Sequence, residues 1–212
     1  MSKRSPLLSA FDKTAYEFGE ISDMAIALRA KNSPDSGNYL ADLSALRRRL
    51  FVGRSVPEWL DGHGVTVPEK LLTCAEIHNG AIAVRLHRQQ YLLIDSLDCT
   101  LSEGLFELEE GRHDEVLVLP YEAAEMACGG PHIGALMAEL CPMDLSMVDD
   151  GTWIATRLAH CEAAIRRIGN PLHYRIVCSP ADAQFLFGVL SQVTRERDGA
   201  ILGFNDYRDR VA

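Results

Sequence analysis

The chain has 212 residues, 47% of them hydrophobic and 24% charged, with a mean hydropathy of −0.03; this is the composition of a folded globular protein and excludes wholesale disorder. Lys and Arg number 21 against 30 Asp and Glu, a formal net charge of −9, which speaks against a nucleic-acid partner because non-specific binding rests on Lys and Arg contacts to phosphate. No apolar run approaches the roughly 20 residues of a membrane span. No secretory leader is visible either, since Asp12 and Lys13 interrupt the apolar residues that follow Lys3 and Arg4, so the chain is expected in the cytoplasm.

Residues 1–38 read as an N-terminal arm and linker. Leu7, Leu8, Phe11, Tyr16 and Phe18 are apolar anchors without a sustained period, and Asn32-Ser33-Pro34-Asp35-Ser36-Gly37-Asn38 has turn composition. Such anchors suggest a segment laid across another surface, and these five are the expected partner interface; the bland alternative is a short element packed on the chain's own core. From 39 to 197 the pattern tightens into a single expected α+β domain. Residues 46–52 read as a strand, with Arg47-Arg48-Arg49 as its solvated face. Ser55-Val56-Pro57-Glu58 is a capping box opening a short helix that closes near Gly62 or Gly64. Residues 71–77 form a plausible strand. Ile82, Val84 and Leu86 alternate, and 87–90 turn the chain into Tyr91-Leu92-Leu93-Ile94, a β-hairpin.

Residues 101–110 are acidic and ambiguous, whereas 115–119 and 121–128 read as strands. Gly129-Gly130-Pro131 then starts a helix with Ile133, Leu136, Met137 and Leu140 on one face, ended by Pro142. Ile154, Leu158, Cys161, Ile165 and Ile168 recur at helical spacing. The strand at 173–178 leads into the last helix. Ser179-Pro180-Ala181-Asp182 announces that helix, and Ala183, Leu186, Phe187, Leu190 and Val193 continue it. Residues 198–212 read as a polar tail, frayed or docked on a partner.

No catalytic, cofactor-binding or metal-ligating set emerges. A GxSxG elbow, an HExxH site, a P-loop and a GxGxxG fingerprint are all missing. The glycines at 129–130 punctuate a turn more naturally than they cradle a phosphate. Cys128 lies near His132, but a nucleophile needs its base in space and not merely in sequence. The six cysteines form no CxxC pair and read as small buried hydrophobes. The acid pairs Asp149-Asp150 and Asp95 with Asp98 read as turn residues.

The order of short motifs nevertheless has a family resemblance. Ala41-Asp42-Leu43-Ser44-Ala45-Leu46 resembles the "DLS" opening strand of the glycine-cleavage aminomethyltransferase fold, followed there too by a small helix like 56–64. The Asn79-Gly80 turn with Tyr91-Leu92-Leu93-Ile94 is closer still to the gamma subunits of heterotetrameric sarcosine oxidases. So are Ser5-Pro6-Leu7, Cys141-Pro142-Met143-Asp144-Leu145 and the closing strand and helix at 174–190. The resemblance implies an α+β fold with a mainly antiparallel sheet and packed helices, with 154–168 as strand in spite of its period. It implies that the chain is a non-catalytic structural subunit of an oxidoreductase acting on N-methylated amino acids. Flavin-bearing and zinc-bearing partners would carry FAD, FMN, NAD, the tetrahydrofolate site and zinc. Full transferases place an acid just after a "GG" turn to organise folate, and here that stretch reads Gly80-Ala81-Ile82-Ala83-Val84. A stand-alone folate-binding or one-carbon transferase is the alternative reading.

Overall fold

The computed structural model describes residues 3–32, 37–77, 80–99, 103–106, 108 and 110–211. The turn residues 33–36, Asn79 of the expected Asn-Gly turn and part of the ambiguous stretch 101–110 lie outside them. In chain order the first elements are β1 (Lys3–Arg4), β2 (Tyr16–Ile21), β3 (Met24–Ala30), β4 (Tyr39–Asp42), β5 (Arg48–Val52) and α1 (Val56–Asp61). Next come β6 (Cys74–Glu76), β7 (Ile82–His87), β8 (Gln90–Ile94), α2 (Glu103–Phe106), β9 (Gly111–His113) and β10 (Val116–Pro120). The remainder are β11 (Ala124–Gly129), α3 (Ile133–Leu140), β12 (Trp153–Leu158), β13 (Cys161–Gly169), β14 (Leu172–Cys178), α4 (Ala183–Arg195), β15 (Ala200–Leu202) and α5 (Phe204–Val211). Their contacts divide into two compact units where the sequence reading expects one domain. Unit 1 takes Met1–Ala45, Ala123–Asp150 and Ile154–Ala212; unit 2 takes Leu46–Glu122 and Gly151–Trp153.

Unit 1 is built on the sheet β12-β13-β14-β11-β4-β15, with a smaller sheet β1-β3-β2. Strand β14 pairs antiparallel with β13 and β11, β11 antiparallel with β4, and β15 joins β4 in parallel. Strand alternation puts Leu40, Met126, Cys128, Ile165, Tyr174 and Ile176 on one face. They share one apolar core with Ile133, Leu136 and Met137 of α3 and with Ala183, Leu186, Phe187 and Leu190 of α4. The opposite face is mixed: Glu125, His173 and Arg175 are buried there beside Tyr39, Ala41, Ala127 and Val177. Helix α5 brings Tyr207 to Tyr39 and His173 of that face, with ring centroids 5.9 and 6.4 Å apart.

Both ends of unit 1 correct the sequence reading. The expected arm is part of the core: Leu7 and Phe11 are buried in the same apolar cluster as α4, and the Phe11 ring packs at a tilt against Phe187 with centroids 5.4 Å apart. Residues 16–30 form the hairpin β2–β3, turned by Ser22 and Asp23 at φ 48° and 62°. The expected tail is also structured. Strand β15 is paired along its length, α5 buries Phe204 and Tyr207, and Asp206 and Asp209 hold Arg29 of β3.

The stretch 154–168 is strand, as the resemblance implies. Strands β12 and β13 are joined by Ala159 and His160, whose φ values of 47° and 70° make a tight two-residue turn. That turn resets the alternation. Ile154 and Leu158 face inward along β12, and Cys161, Ala163 and Ile165 face inward along β13. The helical spacing of the large residues thus comes from two strands of different parity, with a small alanine at one inward position.

Unit 2 is the sheet β6-β7-β8-β5-β10-β9, every adjacent pair antiparallel. The hairpin β7–β8 is where the alternation places it. Phe51, Ala81, Ala83, Tyr91, Leu93, Val116 and Val118 form the core with Val56 and Leu60 of α1. Helix α1 begins at the expected place, but Ser55 makes no capping bond; its hydroxyl donates to Glu115. Helix α4, in contrast, starts later than its Ser-Pro sequence suggests. Ser179 Oγ accepts the Ala181 N–H at 3.2 Å in a turn ahead of it, and the first helical residue is Ala183.

Candidate functional site

The stretch 80–84 is the first place to look, because the resemblance puts a folate-organising acid there. The structure builds it as the start of β7. Ala81 and Ala83 are fully buried in the unit 2 core and Val84 is equally inaccessible. Ile82 pairs with Glu76 and Ile94 across the sheet. This segment offers no carboxylate to a folate nitrogen, so its residues do not fit that role.

Asp95, Asp150 and the arginine run are tied up structurally. Arg47 Nε donates to Asp95 Oδ2 at 2.7 Å and its Nη2 to the Cys99 carbonyl at 2.9 Å, and Asp95 is fully buried. Arg48 is itself buried, its Nη1 donating to the Leu46 carbonyl at 2.8 Å. The run is therefore not the solvated face its charge suggests. Asp150 pairs with Arg167 of β13, while Asp98 and Asp149 are exposed. In unit 1, Arg175 and Glu125 form a buried ion pair, and Ser5 donates to the buried Asp42.

Cys128 and His132 do not make a nucleophile and base. Cys128 Sγ lies 3.9 Å from Met137 Sδ in the unit 1 core, and burial pushes its thiol up to about 12. A thiol held protonated is a poor nucleophile at neutral pH. Gly129 and Gly130 serve close packing. A Cβ on Gly129 would meet Tyr39 Oη at 2.4 Å, and Gly130 sits at φ +115° against Asn38. The N–H of His132 ahead of α3 is taken by Asn38 Oδ1 at 3.0 Å. Among the described residues no group of three or more His, Cys, Asp or Glu could hold a metal ion, and no helix is long and apolar enough to cross a membrane.

The five expected partner anchors separate by burial. Leu7 and Phe11 belong to the core and cannot serve as surface anchors. Leu8 and Tyr16 are half-buried, and Tyr16 Oη donates to the Ile201 carbonyl at 2.9 Å; burial raises its pKa. Phe18 is 38% exposed on β2. Sequence reasoning missed a groove of about 380 Å³ along α4 in unit 1, with Phe187, Gly188, Ser191 and Arg195 in its lining. Phe185, also on α4, is 60% exposed. A glycine in mid-helix and an aromatic outside the buried stripe are the sequence signals that could have marked it.

The element order and sheets define an aminomethyltransferase-like α+β fold. Over 97% of its length the chain superposes on the glycine cleavage system aminomethyltransferase T from Bartonella henselae, with a TM-score of 0.70 and 18% identity. It spans only 61% of that enzyme's length. A chain of the heterotetrameric sarcosine oxidase from Corynebacterium sp. U-96, solved in complex with pyrrole 2-carboxylate, is similar over 94% of this chain and 98% of its own. There the TM-score is 0.63 and the identity 18%. No family model and no curated protein matches the sequence.

Proposed function

We propose that this chain is a non-catalytic structural subunit of a sarcosine-oxidase-like hetero-oligomeric flavoenzyme acting on N-methylated amino acids. The observation that supports this reading is the similarity of fold to a chain of a heterotetrameric sarcosine oxidase, over 94% of this chain and 98% of that one. The apolar, buried segment Ala81–Val84 supports it, because a folate-using transferase would need an acid there. The chemistry would then belong to flavin-bearing and zinc-bearing partners holding FAD, FMN, NAD and tetrahydrofolate. This chain would supply architecture, with Leu8, Tyr16 and Phe18 available to a contact surface.

The test is co-expression with the flavin-bearing and zinc-bearing subunits of such an assembly, followed by affinity purification on a tag carried by this chain. The partners are expected to co-purify in fixed ratio. Calorimetric titration of the isolated chain with tetrahydrofolate is expected to give little or no heat. A chain that stays monomeric beside those subunits overturns the reading. One that binds tetrahydrofolate at micromolar affinity and demethylates an amine unaided favours the stand-alone transferase instead.

A further inference from the structure

We propose that α5 is a pH-sensitive latch on the mixed face of the unit 1 sheet: protonation of His173 drives Tyr207 from its seat and loosens the helix about Gly203. The inference concerns this chain alone and holds whether or not the chain is a subunit. It is carried by the fit of Tyr207, the surroundings of His173 and the way α5 is fastened.

Tyr207 sits in a seat made by three neighbouring strands. Gly129 of β11 pairs with Tyr39 of β4 on one side and with His173 of β14 on the other. Glycine is needed there, since an added Cβ would meet Tyr39 Oη at 2.4 Å and His173 Cβ at 2.8 Å. The Tyr207 ring lies 5.9 Å from that of Tyr39 and edge-on to that of His173 at 6.4 Å, and the residue is 1% exposed. One residue, Gly203, joins β15 to α5. The outer side of the helix is fastened separately. Asp206 Oδ2 accepts the Ala30 N–H at 2.7 Å and the Gly203 N–H at 3.0 Å. Asp206 and Asp209 both pair with Arg29, and the bond to Arg29 holds Asp209 below the usual carboxylate range.

His173 is the part of this seat that titrates near neutrality. It is 6% exposed, whereas the other described histidines, His63, His87, His113, His132 and His160, are exposed or half-buried. Its Nδ1 donates to the Pro171 carbonyl at 2.8 Å, so Nε2 is the nitrogen that takes up a proton. Burial holds the imidazole below its ordinary 6.5. The Pro171 carbonyl works the other way, Arg175 of the same strand and Arg166 of β13 reinforce burial, and Asp150 opposes it. Both carboxylates of this surrounding are committed, Asp150 to Arg167 and Glu125 to Arg175. On the side of α5, burial keeps the Tyr39 and Tyr207 hydroxyls protonated in this range, and the Arg210 guanidinium lies 4.7 Å over the Tyr39 ring. The docked helix thus favours a neutral His173, and an opened helix lets water reach the ring and the proton bind. Docking is at full strength above pH 6.5 and weakens as pH falls below it, toward the lower value of the docked state.

The experiment is amide hydrogen exchange of the full chain at pH 7.5 and 5.5, read by NMR and expressed as protection factors so that the intrinsic pH dependence of exchange drops out. Protection of the α5 amides is expected to fall by about tenfold at pH 5.5, while α3 and α4 keep theirs. His173→Asn retains a neutral donor for the Pro171 carbonyl, and its α5 protection should be the same at both pH values. NMR titration of the parent imidazole should give a midpoint below 6.5, with the Tyr207 ring resonances moving in step. Protection of α5 that does not change with pH overturns the proposal. So does an equal fall in His173→Asn, a fall shared by α3 and α4, which would report global opening, or a midpoint at or above 6.5. If the asparagine variant does not fold, the contrast of α5 with α4 in the parent and the imidazole midpoint carry the test alone.

Discussion

Cys128 and Cys178 share the apolar core of α3 and α4, and desolvation there pushes both thiols up to about 12 from an ordinary 9.0. Raised folded-state values contribute stability that is complete below pH 9, where both states keep the proton. It is lost as pH climbs toward 12, because the unfolded chain then releases protons the folded chain retains. Stability measured by urea unfolding is expected to fall over that range by about 1.4 kcal/mol per pH unit for each such group. Cys128→Val should flatten the decline. At pH 8 a disulfide reagent should modify the half-buried Cys74 and Cys99 first, with the other four reacting only after denaturation. The buried pair of Arg175 and Glu125 gives a second expectation. Arg175→Leu takes the cation from a buried carboxylate and should cost about 3–5 kcal/mol, whereas replacing both by apolar residues should cost less; a double-mutant cycle on chemical unfolding separates the two. The cysteines were legible as small hydrophobes because burial of free Cys follows from composition and context. The ion pair was not, because its members lie 50 residues apart and only the β11–β14 register brings them together.

Local pattern was a fair guide to elements wherever the pattern and the packing agreed. The hairpin β7–β8, helix α3 and the buried stripe of α4 all follow from their apolar spacing. The hairpin β2–β3 escaped notice because its turn is Ser22-Asp23 and lacks glycine, although Ile26 and Leu28 alternate with alanines just after it. Strands β12 and β13 show the reverse case, in which helical spacing conceals two strands joined by a two-residue turn. The groove was harder to see, since a mid-helix Gly188 acquires meaning only once the buried face of α4 is known. Gly188 makes a prediction about the helix itself. Gly188→Ala should stabilise the isolated chain by about 0.5–1 kcal/mol, read as a higher urea midpoint with an unchanged slope.

On the scale of the whole molecule, the segment expected to be a detachable arm is structural. Deleting residues 1–38 removes Leu7, Phe11 and Ala27 from the unit 1 core and the whole β2–β3 hairpin. Burial losses of about 2–5 kcal/mol for a single large apolar residue already approach the stability of an ordinary domain. The deletion is therefore expected to unfold unit 1 and not merely to loosen an assembly, as circular dichroism of the truncated chain would show. An intact, cooperatively melting product would restore the arm. The division of the chain also bears on its synthesis. Unit 2 is closed by residues 151–153 and needs nothing later, whereas unit 1 is drawn from three separated stretches. Strand β4 emerges from the ribosome early but must wait for β15 to lie beside it in parallel, Ala200 against Tyr39 and Leu202 against Ala41. Between the synthesis of residue 153 and that of residue 200, then, one half of the protein can be finished while the other holds an unpaired strand edge. That edge would give chaperones their clearest target on the nascent chain, and premature termination just before residue 200 would leave it permanently open.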